Sequence, residues 1–260
     1  MKELNLISIR RNLDSTSAQP FVCLAEDGNL YYTKFVECRE GSKELINEFI
    51  AYKLAKILKL PIPEAALLKI TKNYDDIFLN DEIVTIKPNL AFGSKEIKNA
   101  LALFSDDFIR ECDNKKELLP ILVFDHIIDN NDRNYNNANM LYRHKDKIVF
   151  IIDHGRIFDI GTLWNEVSCK QRLNDVVELK SFEAETLYGR IFDNVTLKDY
   201  KDYCIDKFSK IQYNDLQLIF DSIPPEWNCS KVEKEVCLEY LWNRFKQYKI
   251  VIDKILSVRR

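Results

Sequence analysis

The chain has 260 residues, 46% of them hydrophobic and 30% charged, with 38 basic and 41 acidic side chains and a net charge of −3. That length supports two lobes or one large domain. The balanced charge excludes a global basic field for nucleic acid or anionic membrane, and no apolar run approaches the ~20 residues of a membrane span.

The N-terminal MKELNLISIRRN lacks the long apolar core of a secretory signal, so a cytoplasmic protein is expected. Residues 4–9 (LNLISI) alternate weakly and read as a strand. FVCLAE (21–26) and LYYTKFVE (30–37) flank Asp27-Gly28-Asn29, a hairpin turn. SKELINEFIAYKLAKIL (42–58) has a helical period, with Leu45, Phe49, Tyr52 and Leu54 near one face and Gly41-Ser42 at its start. LPIP (60–63) stops it, and AALLKIT (65–71) and EIVTIK (82–87) read as strands. Pro88 marks a change, and from about Ser94 most segments read as helical. KKELLPILVFDHII (115–128) is an apolar helix with Pro120 in or near its first turns. NMLYR-HKDK-IVFII (139–152) is a hairpin. Residues 197–211 and 231–256 read as long amphipathic helices, joined by a turn at 221–227. The expected architecture is α+β: a strand-rich unit over 1–90 and a mainly helical unit over 91–260.

Seven cysteines, an odd number without C-x-x-C spacing, imply reduced thiols rather than a disulfide framework or a zinc site. The three histidines lack the spacing of a metal-binding helix. Chemistry concentrates instead in NNDRNYNNANMLYRHKDKIVFIIDHG (130–155). Asp132 follows the apolar helix, and Asp153 follows the strand IVFII. The hairpin between them lets both loops open on one side. Two carboxylates with amide oxygens suit a hard cation such as Mg²⁺, held by one or two carboxylates plus substrate phosphates. Both Asn137 and Asn139 are candidates for the amide. The order of helix, Asp-Arg loop, Asn, hairpin and Asp-x-Gly fits phosphoryl transfer. In the first unit, Lys34 lies in a strand before a helix that carries Glu48, with Glu44 a competing partner one turn earlier. A strand lysine paired with a helix glutamate positions α/β-phosphates. The segment 10–21 supplies the hydroxyls of Ser15, Thr16 and Ser17 where a phosphate-covering loop belongs, without any G-x-G-x-x-G.

These motifs, with PIPEAALL (61–68), NLAFGS (89–94) and IFDSIPPEW (219–227), occur in an order that resembles the HipA-like kinases, more closely the short members without an extra N-terminal domain. The resemblance runs from about residue 10 to 228. It implies a bilobal protein-kinase-like fold, a bacterial source, and use of ATP with Mg²⁺ or Mn²⁺ to phosphorylate a protein Ser/Thr. It implies Asp132 as the catalytic-loop aspartate, Asp153 as the metal aspartate and Lys34 as the phosphate-binding lysine. Asn137 has the kinase spacing from Asp132, whereas Asn139 has the strand context and is preferred. The chain departs from protein kinases in reading Asn131-Asp132-Arg133 for His-Arg-Asp and His154 for Phe. Some relatives are toxins with an antitoxin partner; here a monomer is expected, with a protein substrate and no direct nucleic-acid contact. The alternatives are a small-molecule kinase and a non-catalytic nucleotide-binding scaffold on the same fold.

Overall fold

The computed structural model describes residues 1–12, 20–79, 82–103, 105–136 and 139–258. In chain order the first part contains β1 (Lys2–Asn12), β2 (Phe21–Ala25), β3 (Leu30–Lys34), α1 (Gly41–Ile57), β4 (Ala65–Lys69), β5 (Tyr74–Leu79), β6 (Glu82–Ile86) and β7 (Leu90–Lys95). Strands β1-β2-β3-β7-β4 form a barrel, closed by parallel pairing of β1 with β4, and β5-β6 make a separate hairpin. The division expected near residue 90 falls at the start of β7, which pairs with both β3 and β4.

Alternation along the strands separates two cores. Ala66, Leu68 and Ala91 face the barrel interior with Leu6, Phe21 and Tyr31. Ala65, Leu67 and Phe92 face outward and join a larger core shared with α1 and the helical part. α1 is therefore buried on nearly every side between Glu44 and Ala55. It is the element through which the barrel rests on the rest of the molecule.

The second part contains β8 (Ala100–Ala102), α2 (Asp106–Glu111), α3 (Leu118–Ile127), β9 (Met140–Arg143), β10 (Ile148–Ile151), α4 (Glu166–Gln171), α5 (Leu187–Asn194), α6 (Lys201–Ser209), α7 (Tyr213–Asp221), α8 (Lys231–Phe245) and α9 (Tyr248–Leu256). Every residue of α3 is buried, which is why its sequence is apolar all round. Pro120 sits in its first turn, where a missing N–H costs nothing. The hairpin β9-β10 appears where the sequence places it, with β8 added as a third strand. No helix among the described residues is long and apolar enough to cross a membrane.

Three expectations are corrected. Lys34 is the last residue of β3 rather than mid-strand, because the chain turns at once through Phe35–Cys38. β5, β7 and β8 form where no strand was expected; each takes its conformation from a partner strand, against the Asp residues of β5, the Gly of β7 and the three-residue length of β8. The single helix expected over 231–256 is two. At the break the Gln247 N–H donates to Arg244 O at 3.0 Å, and the Gln247 side-chain amide donates to Asn243 O at 3.2 Å. That amide also donates to Asp175 O at 3.0 Å, while its oxygen accepts from Val177 N at 2.9 Å. α8 then packs on α4 and α7, and α9 turns onto α3 and α6.

Candidate active site

Glu44 and Glu48 lie one turn apart on α1 and so project from one face. Both reach Lys34. Its Nζ lies 2.7 Å from Glu48 Oε1, 2.8 Å from Glu44 Oε1 and 2.8 Å from Asp153 Oδ1. The rivalry that the sequence posed between the two glutamates resolves as a shared lysine. Burial pushes the Lys34 ammonium down, but Asp153, Glu44 and Glu48 more than offset it and hold it well above its ordinary value. Burial pushes the Glu48 carboxyl up to about 7, with Lys34 opposing. Burial also raises Asp153, yet Lys34 outweighs it and keeps that carboxyl below the usual range.

Asp153 follows β10 with φ 53°, a left-handed conformation that Asp tolerates better than most residues. The turn brings His154 N to 3.1 Å from Glu48 Oε1. Gly155 is required for a different reason. A Cβ there would stand 2.8 Å from Glu44 Oε1 and 3.3 Å from Lys34 Nζ, so only glycine lets α1 approach this closely.

Asp132 sits across the cleft on the loop after α3. Asn130, fully buried, donates from Nδ2 to Asp125 Oδ1 at 3.0 Å and accepts the Asp132 N–H on Oδ1 at 3.1 Å. Asn139, just before β9, donates from Nδ2 to Asp132 Oδ2 at 2.6 Å. Arg133, with no exposure, donates from Nε to Asp125 Oδ2 at 2.8 Å, from Nη1 to Ile152 O at 2.8 Å and to Asn139 O, and from Nη2 to His154 Nε2 at 2.6 Å. Tyr188 O–H completes the cluster on Asp125 Oδ2 at 3.0 Å.

Of the residues singled out in the sequence, Lys34, Glu48, Asp132, Asn139 and Asp153 therefore line one cavity of about 630 Å³ between the barrel and the helical part. Asn137, Ser15, Thr16 and Ser17 lie outside the described residues. The sequence reading missed the apolar lining: Pro63 and Phe92 from the barrel side, Leu141 and Ile152 from the hairpin. Leu141 and Ile152 adjoin the polar motifs and were within reach of inspection; Pro63 and Phe92 join the site only through the fold. The cavity has the size and mixed lining of a small-ligand site.

The lining holds five carboxylates, Glu40, Glu44, Glu48, Asp132 and Asp153, against Lys34, Lys95 and Arg156. A polyphosphate enters such a cleft only with added cations. The Asp153 and Asn139 oxygens are hard donors and fit Mg²⁺ or Mn²⁺, with the Asp132 carboxylate beside them. Glu44 Oε2, buried and without a hydrogen-bond partner, adds to that negative environment. Among the described residues no three His, Cys, Asp or Glu side chains form a closed metal cage. One carboxylate and an amide make an open set, which leaves positions for phosphate oxygens.

Comparison with family models matches residues 6–250 to the HipA-like kinases. Comparison with curated proteins returns no match. Among solved structures the chain is similar to the crystal structure of a Helicobacter pylori proinflammatory kinase, CtkA, at 15% identity and TM-score 0.57, covering 100% of this chain and 99% of that one. A golgi casein kinase aligns at 10% identity and TM-score 0.42, over 98% of this chain and 72% of that one. The CtkA likeness is one of fold, strand-rich first part and helical second part alike. With the family match running almost from end to end, the chain belongs to the HipA-like kinase family.

Proposed function

We propose that the chain transfers the γ-phosphoryl group of ATP, with Mg²⁺ or Mn²⁺, to a serine or threonine hydroxyl of a protein. The observation that carries the reading is the contact of Lys34 with Asp153 at 2.8 Å, in the same cleft as the Asp132–Asn139 pair. The apolar slot formed by Phe92, Leu141, Ile152 and Pro63 accepts the adenine ring. Lys34 turns from Asp153 to the phosphates and stays anchored by Glu44 and Glu48. That exchange frees Asp153, which with the Asn139 side-chain oxygen would hold the divalent cation; when bound, the cation neutralises charge on the phosphates. Asp132, oriented by Asn139, accepts the proton of the attacking hydroxyl. The new bond joins the acceptor oxygen to the γ-phosphorus, and the bond to the β–γ bridging oxygen breaks, releasing ADP. A protein acceptor is the reading that accords with the family's protein-kinase members, and the retained Lys, Asp and Asn set favours a working enzyme over a scaffold.

Incubation of the chain with MgATP and a mixed protein acceptor, followed by mass spectrometry, tests the acceptor class. The expected result is phosphoserine or phosphothreonine on the acceptor or on the chain itself. ATP consumption with phosphate found only on added small alcohols would overturn the protein-kinase reading.

A further inference from the structure

We propose that His154 is a positioning residue: its ring accepts from Arg133 of the catalytic loop while its backbone N–H holds Glu48 of α1, so that it aligns Asp132 with Lys34. The inference rests on the phosphotransfer reading and adds a residue to it.

A guanidinium has only N–H donors, so the 2.6 Å contact of Arg133 Nη2 with His154 Nε2 requires a bare lone pair on Nε2. The ring is 1% exposed. A ring with a bare Nε2 carries its proton on Nδ1. The His154 backbone N–H donates to Glu48 Oε1 at 3.1 Å, and that carboxylate holds Lys34.

On its other side, Arg133 is the residue next to Asp132. Its remaining donors fix the carbonyls of Asn139 and Ile152, which flank the hairpin at the two ends nearest the chemistry. Asn139 in turn bonds Asp132. The ring and the backbone N–H of residue 154 therefore close a chain from Asp132 and Asn139, through Arg133, to Glu48 and Lys34. An apolar ring would fill the volume, with Phe124 as its neighbour, but it would leave a buried Arg133 N–H without an acceptor. The sequence reading noted His154 only as a departure from the phenylalanine of protein kinases; the structure gives the departure a partner on each side.

The test uses the full chain with His154→Phe and His154→Gln. Loss of an outer partner of a site typically costs 10–100-fold, so His154→Phe is expected to lower kcat about 10–100-fold. KM for ATP and affinity for MgADP should stay within about threefold, which also shows that the cleft is formed. Glutamine keeps a polar acceptor and should recover most of kcat. His154→Phe with kcat within about twofold of the parent, or both variants losing MgADP affinity equally with kcat, overturns the inference. A second measurement does not depend on turnover. Long-range ¹⁵N–¹H spectra of the parent, with His154 assigned by its loss in His154→Gln, should show Nδ1 protonated and Nε2 bare. A protonated Nε2 overturns the proposal. Absence of any Asp132-dependent turnover in the parent overturns the phosphotransfer reading instead, and the spectrum then decides the Arg133–His154 contact by itself.

Discussion

Asp129, three residues before Asp132, takes donors from four directions: Tyr240 O–H at 2.7 Å, Arg172 Nη2 at 3.0 Å, Lys180 Nζ at 3.3 Å and Arg244 Nη2 at 3.3 Å. Burial pushes its carboxyl up, but Arg244, Lys180, Tyr240 and Arg172 together hold it below the usual range. Nothing in the local sequence signals this role, because its partners arrive from 43 to 115 residues away in the chain. Asp132 and Asp153 were legible because each follows an apolar element, and Lys34 because it is a strand lysine ahead of a helix that carries Glu48; Asp125, Asp129 and Tyr188 were not, because their meaning lies in convergence. Asp129→Ala strands a buried Arg244, and a loss of about 3–5 kcal/mol is expected in denaturant unfolding. His126 makes a separate prediction. Its Nδ1 meets Leu122 O at 2.6 Å and its Nε2 accepts from Lys180 N at 3.1 Å, a geometry for the neutral ring. Burial lowers it to about 4. A depressed folded value means that the unfolded chain takes up the proton first, so stability falls as pH drops from about 6.5 to about 4 and levels off below. The buried neutral ring of His154 acts in the same sense. Glu48, raised to about 7, acts in the opposite sense over the same window, so the readout is the difference: thermal midpoints should fall more, or rise less, in the parent than in His126→Gln, which retains a donor and an acceptor.

At the scale of elements, helices with a strong apolar pattern were readable and strands completed by their neighbours were not. β7 illustrates the difference. NLAFGS contains a glycine, yet Gly93 sits where the barrel leaves no room for a side chain: a Cβ would meet Leu68 Cδ1 at 2.9 Å and Tyr31 Cβ at 3.2 Å. Gly93→Ala should therefore cost about 1–3 kcal/mol by overpacking, measured as a lowered midpoint in urea. The α8–α9 break was equally hidden, since the apolar face of 231–256 continues through it. What ends α8 is one side chain that bonds outside its own helix. Gln247→Ala leaves Val177 N and Asp175 O without that partner, and a loss of about 1–3 kcal/mol is expected by the same measurement. A variant as stable as the parent would mean that packing of α9 on α3 and α6, rather than Gln247, sets the break.

The whole molecule places its chemistry where two cores meet. α1 belongs to the core of the helical part yet carries both glutamates that hold the barrel's lysine, so lobe packing and lysine position are one variable. α8 and α9 supply Leu241, Phe245, Ile252 and Ile255 to that same core. Removing residues 231–260 should leave a protein without cooperative thermal unfolding; cooperative unfolding with nucleotide binding intact would instead mark these helices as a docking element. The fold class and the lysine–aspartate cleft were readable from motif order, whereas the apolar slot needed the barrel to bring Phe92 and Pro63 to the hairpin. The phosphotransfer proposal depends on a division of labour between Asp153 and Asp132. Calorimetry of MgADP binding with radiolabelled phosphate transfer, run on Asp132→Ala and Asp153→Ala, tests it most directly. Asp132→Ala is expected to keep nucleotide affinity while turnover falls at least ~100-fold, and Asp153→Ala to lose both turnover and metal-nucleotide affinity. Equal loss of nucleotide affinity in the two variants, or label transfer that survives Asp132→Ala, would contradict it.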